Sequence, residues 1–385
     1  MSITALSALD LAARLHAGSL KITQTLDACF AAISPNGNNS FAALSKDHAY
    51  ARAIEIQARL DAGDVRSPLA GVPIATDDRM CTRGIATAAG SKALEGFVPP
   101  YNATVIEKIN AADMILLGKT ATDEFGMGSS ICGAALAVQA GEAPIALGCD
   151  TGGAMRRSAA KCGLAGLRPT YGAVSRYGLI AHASSMDQVG PVARNATDCA
   201  ALFDIIKGKD EHDSTSVESH GCVSPTNNPN IGPLPRIDYA LPTYEILASA
   251  EASSNLSRYD GIKYGHASEN AQTLRDTYVL SRSEGFGTQA KRRVMLGNFV
   301  LDAGQFDTYY TKALKARRLI QQALFAALEE YDVLTAPAED ESALVLASLA
   351  GLPALALPDG RQLVGRAFGE RALLGVATDC NSIRR

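Results

Sequence analysis

The sequence lacks any pair of cysteines at C-x-x-C spacing, any pair of histidines at metal-ligand spacing, and any run of Lys or Arg long enough to suggest a nucleic-acid patch. Its eight cysteines (29, 81, 132, 149, 162, 199, 222, 380) are too scattered for a disulfide scaffold and read as reduced thiols. The six histidines (16, 48, 182, 212, 220, 266) give no zinc pattern, so no metal and no cofactor is expected. A net charge of −4 without a basic patch argues against direct nucleic-acid binding. Long hydrophobic runs are missing too. The longest uncharged stretch, Phe125 to Gly141, is too short and too rich in Gly, Ser and Ala to span a membrane, so no membrane association is expected. Asp10, Arg14, His16, Lys21 and Asp27 interrupt every apolar run before Ile33, which argues against a signal peptide and for a cytoplasmic protein.

What is present is enough apolar residue, 47% of 385 positions, to bury a large core. Ile22, Leu26, Cys29, Phe30 and Ile33 recur with helical spacing, and a second helix runs from about Asp47 to Ala62. These place an N-terminal helical segment over 1–65, packed on a main unit over 66–385. Strands at Val72 to Ala75 and Met114 to Leu117 alternate with helices at Ala103 to Ala111 and Asn195 to Lys207, an α/β pattern. Asn195 and Asp198 read as a capping box with Asp in place of Glu. Four X-Pro steps between Val217 and Pro242 predict a loop there. Beyond it, helices are expected at Thr243 to Ser253, Arg292 to Asp302 and Asp307 to Glu330, with strands at Asp332 to Thr335 and Ala354 to Leu357.

The stretch Gly148-Cys149-Asp150-Thr151-Gly152-Gly153-Ala154-Met155-Arg156 is a Gly-rich turn opening a helix, a place where free backbone N–H groups can hold an oxyanion. Together with Gly71-Val72-Pro73-Ile74, Gly118-Lys119-Thr120, Asp123 to Ser130 and Arg168-Pro169-Thr170-Tyr171-Gly172, it resembles the amidase signature family. Asn255 to Gly261, Ser283 to Gly287 and Lys291-Arg292-Arg293 are similar, within that family, to the A subunits of the glutamyl-tRNA(Gln)/aspartyl-tRNA(Asn) amidotransferases.

The resemblance implies a mixed central sheet between helix layers, here shortened, and amide hydrolysis by a Ser, cis-Ser, Lys triad. It places Thr151, Gly152 and Gly153 in the oxyanion loop, Arg293 as the fork for an α-carboxylate, and Glu341 near the site for the α-amino group. Arg293 reads equally as one end of a surface ion pair. The triad itself departs from the pattern. The lysine position is Asp77 and the nucleophile position is Ala154, whose methyl cannot attack. Ser130 takes the cis-serine position when aligned from downstream, and is an ordinary turn residue when aligned from upstream, the reading preferred. Cys149 is read as a small buried hydrophobe over a substitute nucleophile, and Ser158 as structural.

Because triad members act as a unit, the expectation is a catalytically inactive homologue. It would bind a protein partner, such as amidotransferase-type subunits, or an amide or amino-acid ligand such as glutamine. The alternative is an active amidohydrolase, or an amidotransferase component of the A type, whose catalytic residues are rebuilt around Asp77, Asp78 or Cys149.

Overall fold

Ten strands form one sheet: β1 (Phe41–Leu44), β2 (Pro73–Asp77), β3 (Ile115–Thr120), β4 (Ile145–Asp150), β5 (Ala165–Arg168), β6 (Gln188–Ala193), β7 (Ile231–Pro233), β8 (Val333–Pro337), β9 (Ala354–Ala356) and β10 (Arg361–Val364). The structure is a computed structural model that describes residues 2–33, 37–128, 130–218 and 229–382. Every residue of β2 to β6 is buried, as strands covered on both faces must be. The sheet order is β1-β3-β2-β4-β6-β5-β9-β10-β8-β7. β2 runs parallel to both β3 and β4, β7 runs parallel to β8, and the remaining pairs are antiparallel. The expected mixed sheet between helices is what the chain forms.

The helices follow the 3.6-residue pattern closely. Ile22–Ala32 and Lys46–Asp61 bury Leu26, Cys29, Ala53 and Ile56, and Ala196–Ile206 buries Leu202, Phe203 and Ile206. Asn195 caps its helix, its side chain accepting from the Asp198 N–H at 2.7 Å. Asp198 does more than complete a box: its carboxylate accepts the N–H groups of Ala8 (2.9 Å) and Leu9 (3.1 Å), capping the helix Ala8–His16 and tying it to the body.

Two segments differ from the sequence expectation. Within 1–65, Phe41–Leu44 is a strand that pairs antiparallel with β3 at the sheet edge. Its four residues alternate half-buried and exposed, too short a run for periodicity to detect. Within the expected loop, Ile231–Pro233 pairs with β8 as the other edge strand, and a helix begins at Ala240. Proline is tolerated at such an edge because its missing N–H faces away from the ladder. The turns at Ser224-Pro225 and the start of Asn228-Pro229 lie outside the described residues.

A buried ionic knot joins the layers. The Asp150 carboxylate, fully buried at the end of β4, accepts from Arg156 (Nε, 3.1 Å; Nη2, 3.2 Å) and Arg168 (Nη1, 2.9 Å). Arg156 also donates to Gln362 of β10 (2.7 Å) and to the Leu344 carbonyl (3.0 Å) and Ser348 hydroxyl (3.1 Å) of the helix Glu341–Ala350. Arg168 reaches the carbonyls of Asp150 (2.6 Å) and Met186 (2.7 Å). Burial alone would raise the Asp150 pKa, but the two guanidiniums overcome it and hold the carboxyl at about 2. Asp150→Asn leaves two buried cations short of their counter-charge and should cost about 3–5 kcal/mol of unfolding free energy. Urea denaturation checks this; a loss below about 1 kcal/mol would show that the knot is not holding the layers together.

Candidate active site

Asp77 ends β2 and Asp150 ends β4, so the loops leaving these parallel strands open onto one crevice at their carboxyl ends. A cavity of about 720 Å³ lies there. Asp77, Arg79, Cys149, Thr151 to Ala154, His182, Tyr244 and Arg293 line it.

The loop after β4 is shaped by its glycines. Gly153 has φ +102°, a left-handed conformation that strains any side chain, and a Cβ there would come within 2.6 Å of Leu344. A Cβ on Gly152 would collide with the Tyr244 ring at 2.5 Å. Thr151 is pinned by its hydroxyl, which donates to Asp187 at 2.5 Å. Ala154 then opens the helix Ala154–Lys161; Gly153 supplies no side-chain cap, the Arg156 N–H donates to Asp150 at 3.3 Å, and the N–H of Ala154 faces the cavity wall. Ser158 donates to the Ala154 carbonyl (2.7 Å) and accepts from the Cys132 N–H (3.0 Å), the structural part expected of it.

Asp77 is 3% exposed and accepts the Arg79 backbone N–H at 2.9 Å. Burial pushes its carboxyl pKa up, only partly offset by the Arg79 charge. Asp78, in the turn after β2, accepts from the Ala88 (3.1 Å) and Gly90 (3.4 Å) N–H groups. It does not line the cavity with Asp77. The Cys149 thiol lies beside Asp77 and Arg79, and burial raises its pKa well above the ordinary value. It is therefore a neutral thiol, not a thiolate.

The remaining residues read from sequence sit nearer the mouth. Arg293 lines the cavity and forks onto Glu245 (3.0 and 3.3 Å), so it is at once a wall of the cavity and half of an ion pair. Glu341 is exposed and accepts from Arg157 at 2.6 Å. Ser130 is exposed on the rim, its backbone N–H donating to Asp123 at 2.9 Å.

Three lining groups were not singled out from sequence. Arg79 is 1% exposed; its Nη1 reaches Phe125 O (3.3 Å) and Asp187 (3.4 Å). It lies in the turn just after β2, where no strand period marks it. His182 is 1% exposed, and burial drives its pKa to about 3 despite nearby Asp187. Nothing local in the sequence marks it, because the fold delivers it from the segment after β5. Tyr244 comes from the long helix Ala240–Leu256.

Comparison with known proteins places this site in context. The chain matches the family model described as Amidase over residues 24–132, 127–233 and 227–352. It is 39% identical over 479 aligned positions to the A subunit of the glutamyl-tRNA(Gln) amidotransferase of Lachnoclostridium phytofermentans, covering 98% of this chain and 97% of that one. The protein of the same name from Desulforamulus reducens is 40% identical, with 88% of each chain covered. Among solved structures, the corresponding glutamyl-tRNA(Gln) amidotransferase chain of Thermotoga maritima superposes with a TM-score of 0.71 at 27% identity, covering 97% of this chain and 94% of that one. The peptide amidase of Stenotrophomonas maltophilia superposes with a TM-score of 0.82 at 25% identity, covering 98% and 97%.

These matches overturn the expectation of a catalytically inactive homologue. The relatives it matches nearly end to end are named as parts of an amidotransferase, and the alternative of an active enzyme with rebuilt residues fits them better. The inactive reading rested on Asp77 and Ala154 together; folding adds Arg79, Cys149 and His182 to Asp77 around one cavity, which no local spacing reveals.

Because Gly153 combines positive φ with contact to Leu344, Gly153→Ala should destabilise the protein by at least about 1–2 kcal/mol. A thermal or urea midpoint unchanged from wild type would show that the loop relaxes freely.

Proposed function

The chain belongs to the amidase family, and from that footing we propose that it hydrolyses a carboxamide to a carboxylic acid and ammonia with a rebuilt catalytic set. The observation that carries the reading is that the Asp77 carboxylate and the N–H-rich loop Thr151 to Ala154 line the same cavity. Asp77 acts as general base. Water takes the room beside the Ala154 methyl, Asp77 removes its proton, and the oxygen attacks the amide carbonyl. The backbone donors at the helix start hold the resulting oxyanion. Asp77 then passes the proton to the leaving nitrogen, and ammonia departs as the C–N bond breaks.

A serine is not needed on this route, because water replaces the covalent nucleophile. Cys149 is a poorer attacker, since burial keeps its thiol protonated. At the mouth, Arg293 can exchange Glu245 for a substrate carboxylate, with Glu341 available to an ammonium group. L-Glutamine is therefore the first amide to try. The relatives' names mark each of them as one part of a larger assembly, and the same kind of assembly in the cytoplasm is the setting we propose for this chain.

Ammonia release from glutamine, asparagine and simple aryl amides tests the reading. Asp77→Asn should lower kcat by roughly 10²–10⁴-fold, the usual contribution of a general base. Turnover that survives this change, or none in the wild type with any of these amides, sinks the proposal. The pH profile gives a second check. A base works only when ionised, and burial raises the Asp77 pKa. Activity should therefore fall on acidification through an apparent pKa above the ordinary carboxylate value of about 4. A profile flat from pH 4 to 8 would contradict Asp77 as the base.

A further inference from the structure

Two buried polar groups on the cavity wall have no use in the reaction just described. Neither ring nitrogen of His182 has a hydrogen-bond partner, although the residue is 1% exposed and lines the cavity. The Nε of Arg79, also 1% exposed and on the same wall, has none either; Asp77 Oδ1 is 3.9 Å away, beyond hydrogen-bond reach. Buried donors and acceptors are almost always satisfied, and each one left alone costs free energy. Two such residues beside one cavity point to a ligand that completes them.

Their surroundings say what that ligand carries. The imidazole is neutral, with its pKa near 3, and so offers one N–H donor and one bare nitrogen acceptor. Arg79 adds a donor, but its charge is already faced by Asp187 at 3.4 Å and Asp77 at 3.9 Å. Across the cavity, the Arg293 charge is matched by Glu245. An incoming carboxylate would meet more negative than positive charge at this wall. A neutral carbonyl oxygen meets no such repulsion, and it can accept from the imidazole N–H and from the Arg79 Nε–H together. The scissile carbonyl is committed to the loop donors, so this must be a second carbonyl.

We infer that His182 and Arg79 form a specificity subsite for a second, uncharged amide, so that a peptide-like carboxamide is a better substrate than glutamine or another simple amide. The inference rests on the reading of the cavity as an amide hydrolase site. The volume of about 720 Å³ suits such a molecule, being within the range of sites that enclose drug-sized ligands.

N-Acetylglycinamide, pentanamide and succinamate separate the cases, since they carry at the second position a neutral amide, an alkyl chain and a carboxylate. Wild-type protein should favour N-acetylglycinamide over pentanamide by about 10–100-fold in kcat/KM, the worth of filling buried unpaired groups. His182→Phe should bring the two within about 2-fold of each other, through a loss confined mainly to N-acetylglycinamide. His182→Gln, which keeps a donor and an acceptor, should restore part of the preference and guards against a Phe variant that folds poorly. Equal handling of the two by wild type, a preference that survives His182→Phe, or a preference for succinamate overturns the subsite. If none is hydrolysed, the catalytic proposal fails, and calorimetric binding of the same three compounds still decides the subsite by the same ranking.

Discussion

The Asp150 carboxylate between Arg156 and Arg168 is the constraint on which the remaining structure rests. Three charges are buried together where unpaired ones would be intolerable, so their geometry is fixed. Through them β4 is locked to β5, β10 and the helix Glu341–Ala350, and the carbonyl of Asp150 is held by the same Arg168. The loop Thr151 to Ala154 starts at that anchor. Its N–H groups can be aimed at a reacting carbonyl because the residue before them cannot move.

On the alignment we propose, Asp77 and Ala154 stand where the family pattern has a lysine and a serine, which inverts one charge and deletes one nucleophile. Positive charge returns two residues later through Arg79, on the same cavity wall. The neutral His182 imidazole and the protonated Cys149 thiol complete a wall whose charges, Asp77 and the Asp187-paired Arg79, are buried. Such a site favours deprotonating a neutral nucleophile over stabilising a thiolate, which is why direct attack by water is the chemistry it fits.

The sequence carried the helices and the loop but not the cavity. Ile22 to Ile33 and Asn195 to Lys207 were legible because their burial repeats with helical spacing. The oxyanion loop was legible because consecutive glycines before a helix start have few other uses. The edge strands Phe41–Leu44 and Ile231–Pro233 were not, since three or four residues paired on one side leave no period to read. His182 was invisible for a different reason. It enters the site because Asp187 accepts the nearby N–H groups of His182 and Ala183 while also gripping Thr151, 36 positions away in the chain.

The central claim is that this cavity hydrolyses an amide without a covalent intermediate. Rapid quenching during steady-state ammonia release, followed by intact-protein mass measurement, tests it most directly. The account predicts ammonia accumulating while the protein mass stays that of the unmodified chain. An acyl adduct, on Cys149 above all, would contradict it.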